Sequence, residues 1–169
     1  MGMCASELRE YVIRPTLQRL GEWSPAWENL LLGTIAQASQ FGFHVKDGRG
    51  MGIYQIDKET HKYVWDRFLA FDADRASLVR GFASQREFLQ EPDLELVTNL
   101  AYATAIAWGL YAANGAKLPE DSNDLQAIAQ CWYCYYPRRN ITQTPSDFIQ
   151  NFQTHVAANS APVKSACAA

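Results

Sequence analysis

The segment "LLLGTIAQASQFGFHVKDGRGMGIYQIDKETH", residues 30–61, decides the fold because three kinds of local structure follow one another in it. It begins as the end of a helix, whose apolar stripe carries Ile35 and Ala38 inward. Four glycines between residues 42 and 52 then exclude a regular helix. The pattern "MGIYQI" is typical of a short strand, and Asp57 is placed to cap the helix that follows.

Helical patterns cover most of the remaining chain. Ser24 and Thr144, each followed by a proline, are typical of a helix cap and its first turn. The longest apolar pattern is expected to begin at Asp93, to carry Trp108 on its inner side and to end at Gly115. These patterns predict a mainly α fold.

A single domain is expected from a chain of 169 residues, of which 48% are apolar and 12% aromatic. Residues 1–22 are predicted to form an N-terminal helical segment, and residues 23–158 the main domain. Residues 159–169 contain few large side chains and are predicted to form a flexible tail. A small irregular β region is expected around the "MGIYQI" strand.

The charge balance excludes several classes of partner. Fifteen basic and 18 acidic residues give a net charge of −3, which offers no basic surface for nucleic acid. No apolar run approaches the roughly 20 residues of a membrane helix, and the first residues lack the apolar middle of a secretory signal. We therefore expect no nucleic-acid partner, no membrane partner, no signal peptide, and synthesis in a cytoplasm.

Cysteine and histidine give no metal-site pattern. Cys131 and Cys134 have the spacing of half a zinc site, but they lie in an apolar helical pattern that favours core packing. The histidines, His44, His61 and His155, have no ligand spacing, and His61 is expected on a helix surface. No metal and no cofactor is expected.

Five segments, taken in order, carry a resemblance to a known superfamily. They are "GTIAQASQ", the glycine-rich turn, "GMGIYQI", "NLAYATAIAW" and "AIAQCWYCYY". In order and spacing they resemble the lysozyme-like soluble lytic transglycosylases and goose-type lysozymes, and they are most similar to the short, phage-encoded members. The resemblance covers about residues 27–136. It implies a lysozyme-like domain with a groove for peptidoglycan glycan strands beside the β region.

The resemblance also implies a role for particular residues. The superfamily has Glu-Ser where this chain has Ala38 and Ser39, and that glutamate protonates the glycosidic oxygen. The side chain of alanine has no acidic proton to give. The rate of glycosidic cleavage is therefore expected to fall by about 10²–10⁴-fold. The residues implied to line the groove are Ser39, Tyr54, Gln55, Tyr135 and Tyr136.

Three other carboxylates are close to position 38 in sequence. Asp47 is better explained as a turn residue, Asp57 as a helix cap, and Glu59 as a first-turn acid favoured by the helix dipole. None of them is expected to replace the missing acid.

The leading functional hypothesis is a bacteriophage virion protein, of the tail, the baseplate or the proteins delivered at infection. It would use a catalytically inactive lysozyme-like fold structurally and bind other virion proteins, including further copies of itself. The aromatic cluster Trp132, Tyr133, Tyr135 and Tyr136 is expected to supply a partner surface, because one helix cannot bury all four rings.

Two other functions stay open. The first is a peptidoglycan lytic transglycosylase that aids phage entry, either as an inactivated variant or with another residue as its acid. The second is a glycan-binding module. Natural loss and a deliberate Glu→Ala change are both open as the origin of Ala38.

Overall fold

The computed structural model describes residues 2–137 and 142–157, and over these ranges the fold is mainly helical with one small two-stranded sheet. The α-helices are α1 (Ala5–Leu8), α2 (Arg14–Leu20), α3 (Pro25–Ser39), α4 (Lys58–Arg67), α5 (Ala73–Arg80), α6 (Gln85–Gln90), α7 (Glu95–Thr98), α8 (Leu100–Ala113), α9 (Leu125–Tyr135) and α10 (Pro145–Phe152). Turns of π-helix cover Arg9–Ile13 and Gln153–Ala157, and 3-10 turns cover Leu69–Phe71 and Pro92–Leu94. The antiparallel strands are β1 (Lys46–Asp47) and β2 (Gly50–Met51). The predicted tail, residues 159–169, lies outside the described residues.

Three helix starts predicted from local sequence, after Ser24, Asp57 and Thr144, are confirmed. Ser24 accepts a hydrogen bond from the backbone N–H of Trp27 at 3.2 Å, and Asp57 accepts one from that of Thr60 at 2.7 Å. Thr144 forms a capping box with the third residue of α10. Each cap satisfies backbone donors that a helix start otherwise leaves unpaired.

The core is built around α8, which is buried along most of its length. Trp108 is 1% exposed, so its predicted inward position is confirmed. Helix α3 packs against α8, α9 and α10. Its contact with α10 is close because Gly33 has no side chain: a β-carbon there would overlap the ring of Phe148. A small residue at this point thus allows the two helices to approach.

The long helix predicted from Asp93 is interrupted. Residues 92–98 form a 3-10 turn and the short α7, and Asn99 is extended before α8 begins at a 110° bend. Asn99 caps α8 by accepting a hydrogen bond from the N–H of Tyr102 at 3.0 Å, and donates one to the carbonyl of Phe82 at 2.8 Å. These side-chain bonds compete with continuation of the helix.

The N-terminal segment is attached to α3 through one buried carboxylate. Glu28 is 2% exposed and accepts hydrogen bonds from Arg9 at 2.9 Å, from Arg14 at 2.6 Å and from the indole N–H of Trp23 at 2.7 Å. Burial raises the pKa of Glu28, but the hydrogen bonds from Arg14, Trp23 and Arg9 outweigh it and lower the pKa below the ordinary value. The charge on Glu28 therefore holds the π-helical turn Arg9–Ile13 and α2 to the start of α3.

The strand predicted for "MGIYQI" is shorter than expected. Only Gly50 and Met51 pair with β1, and the chain then turns so that Ile56 pairs back with Met51. The turn requires left-handed backbone at Gly52 (φ 72°) and Gln55 (φ 54°), which no strand contains. Gly52 also lies against the backbone of Leu96, where a β-carbon would overlap the carbonyl oxygen.

His61 is buried, so the expectation of a surface position was wrong. Its Nδ1 lies 2.7 Å from a carboxylate oxygen of Asp93, and its Nε2 lies 2.7 Å from the hydroxyl of Tyr102. Trp65 donates to that same hydroxyl at 2.9 Å. The hydrogen bonds are all satisfied when His61 is neutral, donates from Nδ1 to Asp93 and accepts the Tyr102 proton at Nε2.

Acidification is expected to destabilise the fold through His61. Burial lowers the pKa of His61 below its ordinary 6.5, outweighing the nearby Asp93, so the unfolded chain binds this proton first. The stability that the neutral network contributes is present above about pH 6.5 and is lost as the pH falls towards the folded pKa. Urea unfolding at pH 7.5 and pH 5.5 measures the difference.

The matched variant is His61→Gln, which cannot titrate. It should unfold more easily than the wild type at pH 7.5 and should lose part of the wild type's decline in stability between the two pH values. An equal decline in both proteins would show that another group causes it.

Among the described residues, no single helix has the length and apolar composition needed to cross a membrane. Residues 92–98 and α8 meet that test only when taken together, across their 110° bend.

Candidate functional site

Ala38 lies half-buried in the last turn of α3. The helix ends abruptly after Ser39 because Gln40 (φ 49°), Phe41 (φ 59°) and Gly42 (φ 81°) are all left-handed. Side chains other than glycine avoid this conformation, so the surrounding contacts must hold it. One such contact is the hydrogen bond from the N–H of Met3 to the carbonyl of Phe41 at 2.8 Å.

Two side chains hold the turn that follows β2 against the ends of α3 and α9. The hydroxyl of Ser39 donates to the carbonyl of Ile53 at 2.6 Å, and the hydroxyl of Tyr136 donates to the carbonyl of Tyr54 at 2.6 Å. Ser39 also accepts a hydrogen bond from the N–H of Gly42 at 2.9 Å. Adjacent carbonyls of one turn are thus bound from two helices that are distant in sequence.

Gln55 is buried within this turn. Its amide donates to the carbonyl of Gly52 at 2.7 Å and to that of His44 at 3.1 Å, so it holds the β1–β2 hairpin onto the turn. Its side-chain oxygen is buried with no hydrogen-bond partner in the described part of the chain. An unpaired buried acceptor costs about 1–3 kcal/mol and is therefore rare in a settled structure.

Hydrogen-bonded hydroxyl groups and packed aromatic rings connect the turn that follows β2 to the core. Tyr54 is fully buried, and its hydroxyl donates to Thr104 at 3.1 Å. The ring of Tyr136 packs on Tyr111 with centroids 5.3 Å apart, and the Tyr111 hydroxyl donates to Thr34 at 2.7 Å. Thr34 lies one helical turn before Ala38 on the same face of α3. Burial raises the pKa of Tyr54 and Tyr111, so both remain protonated donors.

The residues implied by the resemblance therefore separate into two groups. The structure brings Ser39, Tyr54, Gln55 and Tyr136 together at the end of α3, next to Ala38; we call these five residues the position-38 site. Tyr135 instead lines a surface depression together with Glu59. Tyr136 borders both features, because it lines the same depression.

The depression, which we call the Glu59 depression, has a volume of about 420 Å³. Side chains from the start of α4 and from the end of α9 surround the buried Leu110 of α8. None of Ala38, Ser39 and Gln55 lines it. It is therefore a second feature, which shares Tyr136 with the position-38 site.

The other carboxylates near position 38 in sequence have the positions that local chemistry predicts. Asp57 caps α4, as expected. Glu59 is exposed in the first turn of α4, and Asp47 is exposed on β1 at the hairpin.

The aromatic residues around the end of α9 are less exposed than expected. Trp132 and Tyr136 are buried, whereas Tyr133 and Tyr135 are half-buried, so none of the four is fully exposed. Trp132 is covered by α10, because its ring packs on that of Phe148 with centroids 5.4 Å apart. Tyr135 nevertheless lines a surface depression, so the expectation that this cluster supplies a partner surface stays a prediction.

The two cysteines of α9 have different environments. Cys131 is buried, as core packing predicts, and burial raises the pKa of its thiol to about 12. Cys134 is exposed, which corrects the expectation that both pack in the core. Over residues 2–137 and 142–157, no group of three or more His, Cys, Asp or Glu side chains is arranged to hold a metal ion.

Backbone strain in the described ranges occurs within the position-38 site, at Gln55, and directly after Ser39, at Gln40 and Phe41. In the described ranges, the non-glycine residues with positive φ are Gln40, Phe41 and Gln55. Each costs of order 1–3 kcal/mol, and such residues cluster at functional sites in proteins. Sequence reasoning found Gln55 but not the strain at residues 40 and 41, because neither residue type favours a left-handed conformation.

Comparison with known proteins gives no relative: no protein-family model matches the sequence, no curated protein matches it, and no solved structure matches the fold.

Proposed function

We propose that this chain is a lysozyme-like domain without a general acid, which acts as a structural component of a bacteriophage particle. The observation that carries the proposal is the position-38 site. Ala38 occupies the place of the acid in the resemblance. Next to it in the chain, Ser39 binds the turn that follows β2, and Gln55 and Tyr136 bind the backbone of the same turn. The backbone is strained at Gln40, Phe41 and Gln55. A strained framework around an alanine is what a former catalytic site would leave behind.

The chemistry at this site supports an inactive protein. Glycoside cleavage needs a group that gives a proton to the leaving oxygen, and alanine has none. Ser39 and Tyr136 already donate their hydroxyl protons to backbone carbonyls. Burial and hydrogen bonding hold these groups in structural roles.

The apolar surface supports contact with other proteins. Phe71 is 81% exposed and Leu89 is 80% exposed, and the partly exposed Leu78 and Leu94 belong to the same stretch of chain. Apolar side chains this exposed are open to contact with other proteins. This region, residues 69–94, is a second expected contact with particle proteins, beside the α9 aromatic cluster.

Two measurements test the proposal. The purified chain should leave the turbidity of isolated cell walls unchanged, and washed virus particles from producing cells should contain the chain in a fixed ratio to the major coat protein. Clearing of cell walls by the unaltered chain would refute the inactive reading. Recovery of the chain only outside the particles would refute the structural role.

A second candidate function has one observation in its favour. Glu59 is a carboxylate on a depression that Tyr135 and Tyr136 also line, which are residues that the resemblance assigns to the groove. A lytic transglycosylase that uses Glu59 as its acid would cleave peptidoglycan to anhydro-sugar products, and Glu59→Gln would abolish the cleavage. Cleavage that survives Glu59→Gln excludes this candidate.

A further inference from the structure

The Glu59 depression differs in the state of its polar groups from a depression that Leu94, Thr98 and Leu100 line beside α6. This second depression is also lined by Ser84, Glu87 and Glu95, but these groups bind one another or nearby backbone and side chains. In the Glu59 depression, by contrast, the carboxylate of Glu59 and the hydroxyls of Thr60 and Tyr135 make no hydrogen bond or ion pair with any described residue. Polar groups that converge on one depression without internal partners are available to a ligand.

The charge of the depression selects the class of ligand. Glu59 is the one charged side chain among the described lining residues. The cations beside it in sequence are directed elsewhere: Lys58 lies 3.4 Å from Asp93, and Lys62 lies 4.0 Å from Asp66. Within residues 2–137 and 142–157, no ion pair compensates the negative charge of Glu59, which favours a cationic ligand over an anionic one.

The remaining lining residues fit an alkylammonium group. Tyr63 and Tyr135 contribute aromatic rings, which attract a cation placed over the ring face, and Leu110 gives an apolar base. The hydroxyl of Tyr63 donates to the side chain of Asn114 at 3.3 Å, which holds the ring at the edge of the depression. The volume of about 420 Å³ is within the range of small-molecule sites.

We propose that the Glu59 depression binds an organic ammonium group, with the carboxylate of Glu59 as the counter-ion, the rings of Tyr63 and Tyr135 beside the cation and the alkyl chain against Leu110. This site is separate from the position-38 site and does not depend on the proposed function. The ligand is a lysine side chain of another polypeptide or a small free amine, since both present the same group.

The test is an NMR titration of the protein with Nα-acetyl-lysine amide at low ionic strength, with Nα-acetyl-norleucine amide as the uncharged control. The lysine compound should shift the backbone amide signals of Glu59, Tyr63 and Asn114, with a dissociation constant in roughly the millimolar range, because exposed ion pairs and cation–π contacts are weak. The norleucine compound should bind at least about fivefold more weakly. Added salt should reduce the binding of the lysine compound.

Matched variants locate the cation. Glu59→Gln keeps the size of the side chain and should weaken binding about fivefold, whereas Glu120→Gln, at another exposed acid, should leave it unchanged. Thermal unfolding of both variants confirms that they are folded. Equal binding of the norleucine compound, or unchanged binding by Glu59→Gln, would overturn the proposal.

A parallel titration with n-butylammonium distinguishes the two sources of the amine. Tighter binding of the lysine compound identifies a polypeptide partner, and tighter binding of n-butylammonium identifies a small amine. Absence of shifts at Glu59 and Tyr63 with both compounds would overturn the proposal.

Discussion

Replacing Trp108 by alanine is expected to lower the free energy of unfolding by about 3–5 kcal/mol, the range for removing a large buried aromatic side chain. Trp108 lies in the middle of α8 and is 1% exposed. Its ring meets Trp27 edge-on with centroids 6.5 Å apart and Phe68 with centroids 5.9 Å apart. The guanidinium of Arg75 lies 5.3 Å from the ring centroid. The variant loses all these contacts and leaves a cavity between α3, α4 and α8.

The indole nitrogen of Trp108 allows a sharper version of this experiment. It is buried without a hydrogen-bond partner among the described residues, so its removal leaves no other group unpaired. Trp108→Phe keeps an aromatic ring and should therefore cost far less than Trp108→Ala, on the order of 1–3 kcal/mol. Urea unfolding of both variants measures the difference.

The matched control is Leu89→Ala, because Leu89 is a large apolar residue that is 80% exposed. It should change the free energy of unfolding by less than about 0.5 kcal/mol. Similar unfolding midpoints for the wild type and Trp108→Ala would show that the core does not depend on α8.

The parts of the fold that depend on a few neighbouring residues could be predicted from the sequence. The caps at Ser24, Asp57 and Thr144 are examples, because each cap is formed by a side chain and a backbone N–H three residues away. The inward position of Trp108 followed from helical periodicity alone. Such features can be predicted because the residues that form them are neighbours in the sequence.

The predictions that failed depend on distant contacts or on turn chemistry. Asn99 interrupts the predicted long helix because it binds Phe82, which lies 17 residues earlier in the chain. His61 is buried because Asp93 and Tyr102, more than 30 residues away, satisfy its ring nitrogens. A signal was present for His61, since it shares a helical face with Val64 and Phe68. It was outweighed by the general preference of histidine for partial exposure.

The candidate site was predicted in part, and only through the order of its segments. The bonds from Ser39 and Tyr136 to consecutive carbonyls join residues 14 and 82 positions apart, so periodicity could not reveal them. The left-handed backbone at Gln40 and Phe41 has no signature in those residue types. The sequence also could not predict that the polar groups of Glu59, Thr60 and Tyr135 make no hydrogen bond with a described residue, because this depends on which side chains the fold places beside them.

Ala38→Glu is expected to give the protein a cell-wall-cleaving activity that the unaltered chain lacks, by about 10²–10⁴-fold in rate, the usual contribution of a positioned general acid. Position 38 is half-buried, so a carboxyl group there would be partly desolvated, which raises its pKa. It is also in the last turn of α3, where the negative end of the helix dipole disfavours a carboxylate and raises the pKa further. Both effects favour the protonated form that a general acid needs near neutral pH.

The control variant is Ala38→Gln, which has the size of glutamate and carries no acidic proton. Loss of turbidity from isolated cell walls measures cleavage, and anhydro-sugar products distinguish transglycosylation from hydrolysis. Activity in Ala38→Glu but not in Ala38→Gln would mean that Ser39, Gln55 and Tyr136 still hold a site able to position a glycan strand. Equal activity in the two variants, or in the unaltered chain, would refute the role assigned to position 38. If all three proteins fold but none cleaves cell walls, the site has lost more than its acid, because an acidic proton at position 38 is then not sufficient for cleavage. The structural role would then be the better supported of the two proposed functions.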